Sequence, residues 1–346
     1  MIELTHGNLL TADVDALVNT VNCVGHMGKG IALQFKQAFP DNFTAYKQAC
    51  SRGEVRPGRM FVFETGLLQG PKYVINFPTK RHWRGTSRLD DIRSGLIALG
   101  EEVRTRHIRS IAVPPLGCGN GGLAWEVVRP VIEASLSSLE GVRVLLYEPV
   151  GAPEARTMPV RTELPRMTVA RALFVQVMNQ YLALAYRLTL LEIQKLAYFL
   201  QEAGEPLRLN YEAGIYGPFA ANLNKVLERI EGHFIRGYGD SQKPDAEIEL
   251  SDEAINAAGE FLTDYPQSRS RLEQVARLIE GFETPYGMEL LSSVHWVGAH
   301  ASPNAATADE AVRAVHQWND RKRRMLARDD LQLAWDRLEE AGWLPR

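Results

Sequence analysis

The sequence predicts a layered α/β domain followed by a mainly α-helical domain, and three observations support this. In the first half, short β-rich apolar runs alternate with segments of helical period. In the second half, nearly every apolar pattern has the helical period. Between them, Pro149–Pro165 is rich in proline, glycine, arginine and threonine, which is typical of a linker. We therefore expect domains at 1–152 and 166–346, joined by a linker at 153–165.

The first half contains five predicted strands, each a run of β-branched, aromatic or other apolar residues. They are Ala16–Val21, Arg59–Phe63, Tyr73–Phe77, Ser110–Val113 and Val142–Tyr147. Apolar residues that recur at spacings of three and four predict a helix over Leu89–Val103 and another from Ile31. In folds of this class, ligands bind in the loops at the carboxyl ends of the strands.

The second half contains six predicted helices. They are Val169–Leu188, Leu190–Ala203, Pro218–Ile230, Ala254–Tyr265, Leu272–Phe282 and Asp309–Trp318. Pro218 suits the first position of a helix, because its missing N–H would lack a partner there anyway. Glu192 and Lys195 lie one turn apart and predict a stabilising surface pair. The basic run Arg321–Arg324 predicts an exposed helix end.

Composition narrows the class of protein. Met1–Leu10 opens with an acidic residue and lacks a basic segment, and no apolar run approaches the roughly 20 residues of a membrane span. We therefore expect a cytoplasmic protein that does not contact a membrane. Cys23, Cys50 and Cys118 are an odd number without metal-ligand spacing, so neither a disulfide framework nor a metal site is predicted.

Two predicted strands run through glycine loops into helices, an arrangement that suits a bound anion. The first loop lies between Asn22 and Gly30, and the second between Gly117 and Gly122. Glycines let backbone N–H groups approach a phosphate, and a helix N-terminus adds partial positive charge. One such loop is more often a plain turn, whereas two at equivalent strand ends predict a diphosphate held from both sides. The first loop is not a P-loop, because Gly30 stands where a magnesium-binding hydroxyl is needed.

A third segment follows the strand that ends at Phe77. Here five consecutive residues are cationic or aromatic, from Lys80 to Arg84. As a solvated loop the run is unremarkable. As the rim of a pocket it predicts binding of single-stranded nucleic acid, with His82 and Trp83 stacked on bases while Arg81 and Arg84 meet phosphates.

Four motifs follow one another within about the first 150 residues: Gly7–Leu10, Asp15–Asn22, Gly28–Ala32 and Gly117–Gly121. Together they resemble those of macrodomains and, more narrowly, those of the DarG-type antitoxins of DarT–DarG systems. The resemblance implies an α/β macrodomain in which a mixed sheet is flanked by helices in three layers. In the second half, Glu192–Gln201 and Tyr216–Phe219 are similar to an antitoxin-associated helical domain that binds the toxin.

The resemblance implies an ADP-ribose site, with ADP-ribose as ligand and product and with neither cofactor nor metal. The implied binding residues are Asn8, Leu9, Thr20, Val21, Asn22, Gly30, Ile31, Ala32, Leu33, Gln34, Thr79, Gly117, Cys118, Gly119, Asn120 and Gly121. Asn8 and Leu9 match the adenine end, and Thr79 matches the catalytic edge. Lys80 is the implied catalytic residue and Asn22 the second candidate. Arg81, His82, Trp83 and Arg84 become candidates for contact with DNA.

The chemical role of Lys80 stays open between two routes. The bond to be cleaved joins C1″ of the distal ribose to a nucleobase nitrogen. A lysine desolvated beside Arg81 and Arg84 should have a lowered pKa and could act as a neutral amine. A charged Lys80 could instead donate a hydrogen bond to the departing base. Related lysine-dependent glycohydrolases pair the lysine with an aspartate in the second glycine loop, where Gly121 stands in this chain.

The implied function is that of an antitoxin with two activities. It hydrolyses the N-glycosidic bond of ADP-ribosylated thymidine in single-stranded DNA, and its C-terminal domain binds and neutralises a DarT-like ADP-ribosyltransferase. Residues 240–283 carry 11 acidic and 4 basic side chains, so this surface either fits the DNA groove of the toxin or is merely solvated. Two other functions remain: a non-catalytic reader of ADP-ribose, and an antidote that acts only through its C-terminal domain.

Overall fold

The computed structural model describes residues 1–150, 157–185, 187–239 and 245–345. It divides into two compact units, the first spanning Met1–Glu163 and the second holding most of the chain from Leu164 onward. Part of the predicted linker, residues 153–156, lies outside the described residues, as do the last two residues of the predicted first domain.

The first unit is built on a six-stranded mixed sheet. Its strands are β1 Ile2–Thr5, β2 Ala16–Val21, β3 Phe61–Glu64, β4 Tyr73–Pro78, β5 Ser110–Val113 and β6 Arg143–Tyr147. The spatial order is β1-β6-β5-β2-β4-β3, and every neighbouring pair is parallel except β3 with β4. The short β1 is absent from the predicted strands, and the other five are confirmed to within two residues at each end.

Helices cover both faces of this sheet. They are α1 Gly30–Ala38, α2 Pro40–Ser51, α3 Leu89–Thr105 and α4 Trp125–Leu136. Successive residues of β4 enter opposite cores, as the two-residue period of a strand requires. Val74 packs in the cluster that contains Phe35 of α1, whereas Ile75 and Phe77 pack in the cluster that contains Leu96 of α3. The result is the three-layer α/β fold that the sequence predicts.

The second unit is mainly helical, as predicted. Its helices are α5 Val169–Leu182, α6 Leu190–Glu202, α7 Leu223–Ile230, α8 Asp252–Phe261, α9 Pro266–Ile279, α10 Pro285–Ala299, α11 Ala308–Trp318, α12 Asp320–Met325 and α13 Arg328–Glu340. Two short antiparallel strand pairs accompany them: β7 Tyr211–Gly214 and β8 Gly217–Ala220 form a hairpin, and β9 Ile235–Arg236 pairs with β10 Glu249–Leu250. No helix among the described residues has the length and apolarity needed to cross a lipid bilayer.

The prediction that Pro218 begins a helix is wrong. Pro218 lies in β8, opposite Ala213 in the antiparallel hairpin, and helix α7 begins only at Leu223. Ile215 and Tyr216 form the turn of the hairpin, and Gly217, the first residue of β8, has a φ of +101° that is readily adopted only by glycine. A proline is tolerated in a two-stranded hairpin because its missing N–H can face away from the partner strand.

The prediction that Glu192 and Lys195 form a surface pair is also wrong, since both are buried. The Glu192 carboxylate caps the start of α6 by accepting from the Thr189 N–H at 3.0 Å. The Lys195 ammonium donates to the Pro218 carbonyl oxygen at 2.8 Å. In the basic run near the end of the chain, Lys322 is likewise fully buried rather than exposed. Helical spacing alone could not reveal these burials, because the covering residues are distant in sequence.

Candidate active site

Three loops meet at one edge of the sheet. Strands β2, β4 and β5 are parallel neighbours with β2 in the middle, so their carboxyl ends lie at the same edge. The loop after β2 covers 22–29, that after β4 covers 79–88, and that after β5 covers 114–124. The sequence predicts the first and third as glycine loops and the second as the cationic and aromatic rim.

Backbone hydrogen bonds fasten the loop after β4 to both of its neighbours. On one side, the Cys23 N–H donates to the Arg81 carbonyl oxygen at 3.2 Å. On the other, the Ser87 N–H donates to the Gly121 carbonyl oxygen at 2.9 Å. The three loops therefore form one connected rim, and their side chains are held at fixed positions around it.

Lys80 lies in the loop after β4 and reaches the second glycine loop. Its Nζ donates to the Asn120 carbonyl oxygen at 2.8 Å, which joins the loop after β4 to the second glycine loop. Burial lowers the pKa of Lys80, and the nearby Lys29 cation lowers it further. The expectation that Arg81 lowers this pKa is not met. The Arg81 guanidinium instead makes a two-bond ion pair with Asp91, at 2.6 and 3.1 Å.

Lys29 is a site residue that the sequence reasoning missed. It is the N-cap residue of α1, so it sits where the first glycine loop enters the helix. Its side chain is exposed overall, but partial burial of the ammonium group lowers its pKa as well. A lysine between two glycines at a helix N-terminus is the signal that could have revealed it. Among the described residues, no acidic side chain raises the pKa of either Lys29 or Lys80.

The predicted catalytic candidate Asn22 is buried and shapes the first glycine loop. Its Oδ1 accepts from the backbone N–H groups of Val24 at 3.0 Å and His26 at 3.4 Å, and its Nδ2 donates to the His26 carbonyl oxygen at 2.5 Å. The Tyr46 hydroxyl donates to the Asn22 carbonyl oxygen at 2.6 Å. These contacts give Asn22 a positioning role, and its predicted contact with a ribose hydroxyl stays a prediction.

The second glycine loop has no room for a side chain at Gly121. A Cβ there would lie 2.3 Å from both the Gly117 carbonyl oxygen and Ser87 Oγ, far inside van der Waals contact. The aspartate that the resemblance leads one to expect at this position would therefore not fit here unless the loop moved. The Ser87 hydroxyl is buried beside the loop, and among the described residues it has no hydrogen-bond partner. It is a second polar group that the sequence reasoning missed.

Aromatic and cationic side chains of the loop after β4 form an exposed stack. The Trp83 ring stacks on His82 with centroids 5.4 Å apart and lies 5.5 Å from the ring of His26. The Arg84 guanidinium covers the Trp83 ring at 4.6 Å. The structure thus brings together three of the four candidates for contact with DNA. Arg81 is held by Asp91 instead, and its contact with phosphate stays a prediction.

Asn8 lies at the start of a 3₁₀ helix, Leu9–Thr11. Its Oδ1 accepts from the Leu10 N–H at 3.0 Å, and its Nδ2 donates to the Thr157 carbonyl oxygen at 3.2 Å. Leu9 packs in the core on the α1 face of the sheet. The predicted contacts of Asn8 and Leu9 with adenine stay predictions.

The other predicted binding residues lie at the end of β2, in the first turns of α1, at the end of β4 and in the second glycine loop. They are Thr20, Val21, Gly30, Ile31, Ala32, Leu33, Gln34, Thr79, Gly117, Cys118 and Gly119. The side chain of Leu33 is wholly buried, so only its backbone could meet a ligand. Burial raises the pKa of Cys118 and of Cys23 to about 11, so neither thiol is a thiolate near neutral pH.

Comparisons with known proteins agree with this architecture. A family model described as Macro domain matches residues 18–132. The chain is 48% identical over 345 residues to a DNA ADP-ribosyl glycohydrolase of Thermus aquaticus, covering 99% of this chain and 94% of the relative. It is 44% identical over 354 residues to a DNA ADP-ribosyl glycohydrolase of Mycobacterium tuberculosis, covering 98% of this chain and 99% of the relative.

Two further similarities cover less than half of this chain. The solved macrodomain of Mycobacterium tuberculosis DarG is 57% identical, with a TM-score of 0.43, and the match covers 43% of this chain and 98% of that one. A fusion protein of Thermosipho africanus, described as a DNA ADP-ribosyl transferase joined to a DNA ADP-ribosyl glycohydrolase, is 35% identical over 164 residues. That match covers 43% of this chain and 42% of the fusion protein.

Proposed function

The chain belongs to the DNA ADP-ribosyl glycohydrolases, and on that premise we propose that its substrate is ADP-ribosylated thymidine in single-stranded DNA and that Lys80 is the catalytic side chain. The observation that carries the assignment is the position of Lys80. Its partly buried amine lies where the loops after β2, β4 and β5 meet, bound to the Asn120 carbonyl oxygen at 2.8 Å. The N-terminus of α1, which suits a phosphate, opens onto the same rim.

Hydrolysis adds the hydroxyl of water to C1″ and a proton to the base nitrogen. Lys80 can assist in either of two protonation states. As an ammonium it donates a hydrogen bond to the base as the base leaves. As a neutral amine it keeps one N–H on the Asn120 carbonyl oxygen, which leaves its lone pair free to attack C1″. The lowered pKa makes the neutral form of Lys80 more populated than in an ordinary lysine. In both states the Lys80 nitrogen contacts the reacting atoms.

No carboxylate at position 121 can take part in either route. The Cβ of any side chain there would overlap the Gly117 carbonyl oxygen. A covalent lysyl intermediate resolved by an aspartate in this loop is therefore outside what this chain can do without rearranging the loop. Position 121 therefore supplies no carboxylate to activate the water that completes hydrolysis.

The exposed stack of His82, Trp83 and Arg84 supports a single-stranded DNA substrate. A π-face next to a guanidinium is the combination that holds unpaired bases and their phosphates. The stack lies on the same loop as Lys80, within four residues of it. A base linked to the distal ribose at Lys80 therefore has neighbours in the strand that can reach Trp83.

The catalytic assignment is tested with Lys80→Met and a matched control, Lys72→Met. Lys72 immediately precedes strand β4. Its side chain is 70% exposed and lies 3.7 Å from Asp15, so the substitution removes one lysine outside the site. With an ADP-ribosylated single-stranded oligonucleotide, we expect Lys80→Met to release ADP-ribose at least about 100-fold more slowly than the control. Binding of free ADP-ribose, measured by calorimetry, should change little. Normal turnover by Lys80→Met would contradict the catalytic role of Lys80. If the wild-type protein binds ADP-ribosylated DNA but releases no ADP-ribose, it is a non-catalytic reader.

We infer that the second unit neutralises a DarT-like ADP-ribosyltransferase. The Thermosipho africanus relative, in which a transferase and a glycohydrolase share one chain, supports pairing of the two activities. The acidic residues between positions 240 and 283 also support binding of the toxin, because many of their side chains are exposed. Those acids are Asp245, Glu247, Glu249, Asp252, Glu253, Glu260, Asp264, Glu273 and Glu280. A DNA-binding groove on the toxin would be basic, and an exposed acidic surface complements it.

Neutralisation is tested with the full chain carrying Lys80→Met, which separates binding from hydrolysis. We expect this variant still to inhibit the transferase at stoichiometric concentration. Charge reversal by Glu260→Lys with Glu273→Lys should weaken the complex and reduce its dependence on salt. If single-stranded DNA and the full chain bind the transferase simultaneously without weakening each other, the acidic surface does not occupy the DNA groove.

A further inference from the structure

Three helices of the second unit end at one cavity. Helix α6 ends at Glu202, α10 at Ala299 and α13 at Glu340, and these residues line a cavity of about 780 Å³. The C-terminus of a helix carries a partial negative charge of roughly half an electron, because its last carbonyl groups lack intrahelical partners. Three such ends around one space favour a bound cation.

Three potential metal ligands stand in the wall of this cavity. Glu202 is the last residue of α6, His295 lies in the last turns of α10, and His300 is the C-cap residue of α10. One carboxylate oxygen and one ring nitrogen from each histidine lie within 4.8 Å of one another. In a tetrahedral zinc site, ligand atoms about 2.0–2.2 Å from the metal stand roughly 3.3–3.5 Å apart. Rotation of Glu202 and His300, which are less buried than His295, would bring the three atoms toward that spacing.

We propose that Glu202, His295 and His300 bind a divalent transition-metal ion of the zinc class in the second unit. Two imidazoles and one carboxylate are a donor set that zinc accepts, and they leave a fourth position open to the cavity. The ion would join the C-terminal ends of α6 and α10. This site is independent of the reaction at Lys80.

The three proposed ligands make hydrogen bonds that metal binding would partly replace. Glu202 and His300 contact each other at 3.0 Å, and an ion between them would replace that contact. The ring of His295 is held from both sides, by the Tyr198 hydroxyl at 2.6 Å and by the Trp343 carbonyl oxygen at 3.1 Å. Because the Trp343 carbonyl oxygen can only accept, Nε2 carries the proton and Nδ1 accepts from Tyr198. An ion on Nδ1 would replace the Tyr198 hydroxyl, and the Nε2 bond to Trp343 would still fix the ring, as metal-binding histidines usually require.

Two arginines of the cavity wall influence which ligand would occupy the fourth coordination position. The Arg337 guanidinium donates to the Glu280 carbonyl oxygen at 2.9 Å, which directs one of its amino groups to the end of α9. Arg277, in the last turn of α9, also lines the cavity. These cations oppose the metal at long range, whereas they favour a hydroxide or a carboxylate as the fourth ligand.

The test uses the full chain stripped with a chelator and then titrated with Zn²⁺ and, separately, Co²⁺. We expect one ion per chain with micromolar or tighter affinity, and an increase in Tm on addition of Zn²⁺ because only the folded chain holds the three ligands together. The variant Glu202→Gln with His300→Ala should weaken this binding more than about tenfold. Both substituted residues reach the surface, so the fold should tolerate them better than a change at the buried His295.

His6→Ala is the matched control, since it removes an exposed imidazole from the first unit. It should bind the ion like the wild-type chain. The three cysteines are the competing ligands, and Co²⁺ distinguishes them because a thiolate ligand gives an intense near-ultraviolet absorption band. Such a band, an unchanged affinity in the double variant, or no binding by the wild-type chain at micromolar Zn²⁺ would each overturn the proposal.

Discussion

The Lys80 ammonium nitrogen lies 2.8 Å from the Asn120 carbonyl oxygen, so the proposed catalytic amine is fixed by the backbone of the opposite loop. A carbonyl acceptor carries no formal charge, so it orients the amine without an ion pair that would raise the pKa. Burial and the Lys29 cation both lower that pKa instead. The site is therefore arranged to make a neutral amine more accessible than it is in an ordinary lysine.

Removing the Lys29 charge should move the pH dependence of hydrolysis. In Lys29→Met the pKa of Lys80 loses a cation that lowers it, so it should rise toward its ordinary value. If the neutral amine is the active form, the rising limb of kcat/KM against pH shifts to higher pH and the rate near neutrality falls. If the ammonium is active, the falling limb shifts to higher pH. The shift is to higher pH in both cases, so the limb of the pH profile that moves identifies the active protonation state of Lys80.

The control for this experiment is Lys29→Arg, which keeps the charge and should leave the limb in place. A limb that does not move in Lys29→Met would show that Lys29 has no electrostatic influence on the reacting group. A uniform loss of rate at every pH would instead assign Lys29 to binding of the phosphates.

The crowding at Gly121 predicts a large effect from one methyl group. Gly121→Ala places a Cβ 2.3 Å from the Gly117 carbonyl oxygen, so the loop must shift, and we expect a loss of about 1–3 kcal/mol of stability. Binding of ADP-ribose should weaken because this loop is proposed to hold the diphosphate. Gly119→Ala is the matched control, since nothing lies within 4 Å of its added Cβ. Thermal unfolding and calorimetry measure both effects, and equal behaviour of the two variants would contradict the crowding.

The parts of this site that can be predicted from the sequence are those formed by residues close together in the chain. The glycine loops before α1 and after β5 are recognisable because a strand, a glycine cluster and a helix follow one another within about 15 residues. The loop after β4 is recognisable by its consecutive cations and aromatics. The convergence of all three follows from a parallel sheet, in which equivalent strand ends share an edge.

The parts that sequence could not predict depend on residues distant in the chain. Lys195 reads as a surface residue by helical spacing, yet its ammonium is covered by the hairpin that contains Pro218. The same hairpin turns Pro218 from a helix start into a strand residue, because Gly217 closes a tight turn before it. The influence of Lys29 on Lys80 likewise arises only when loops 50 residues apart are folded together.

Trp83 should govern recognition of the DNA strand and not of the nucleotide. Trp83 is 38% exposed, with His82 stacked on its ring and the Arg84 guanidinium over it, so a base can join the stack when the Arg84 side chain moves aside. Loss of one base stack costs about 1–3 kcal/mol, which corresponds to roughly a 5- to 150-fold increase in KM for an ADP-ribosylated oligonucleotide in Trp83→Ala. Trp83→Phe keeps a ring and should lose less. Affinity for free ADP-ribose should stay constant, and an equal loss for both ligands would place Trp83 in the nucleotide pocket.

Glu289 should be among the most important single residues for the stability of the second unit. Its buried carboxylate accepts from the Arg321 guanidinium at 2.6 Å and from the Lys322 ammonium at 2.8 Å, and Lys322 is fully buried. Burial already lowers the pKa of Lys195, which also feels the Lys322 cation. Glu289→Gln would leave the buried Lys322 ammonium without a counter-charge, and breaking a buried pair in this way costs about 3–5 kcal/mol.

Asp309→Asn provides the comparison for Glu289→Gln. It breaks an ion pair with Arg328 of similar length, 2.6 Å, but both side chains are more than half exposed. Water solvates the charge that remains, so the cost should be less than about 1 kcal/mol. Urea unfolding monitored by tryptophan fluorescence measures both variants. If Glu289→Gln loses no more stability than Asp309→Asn, then the buried cations must lose their protons or reach solvent, and the cluster around Glu289 does not depend on its charge.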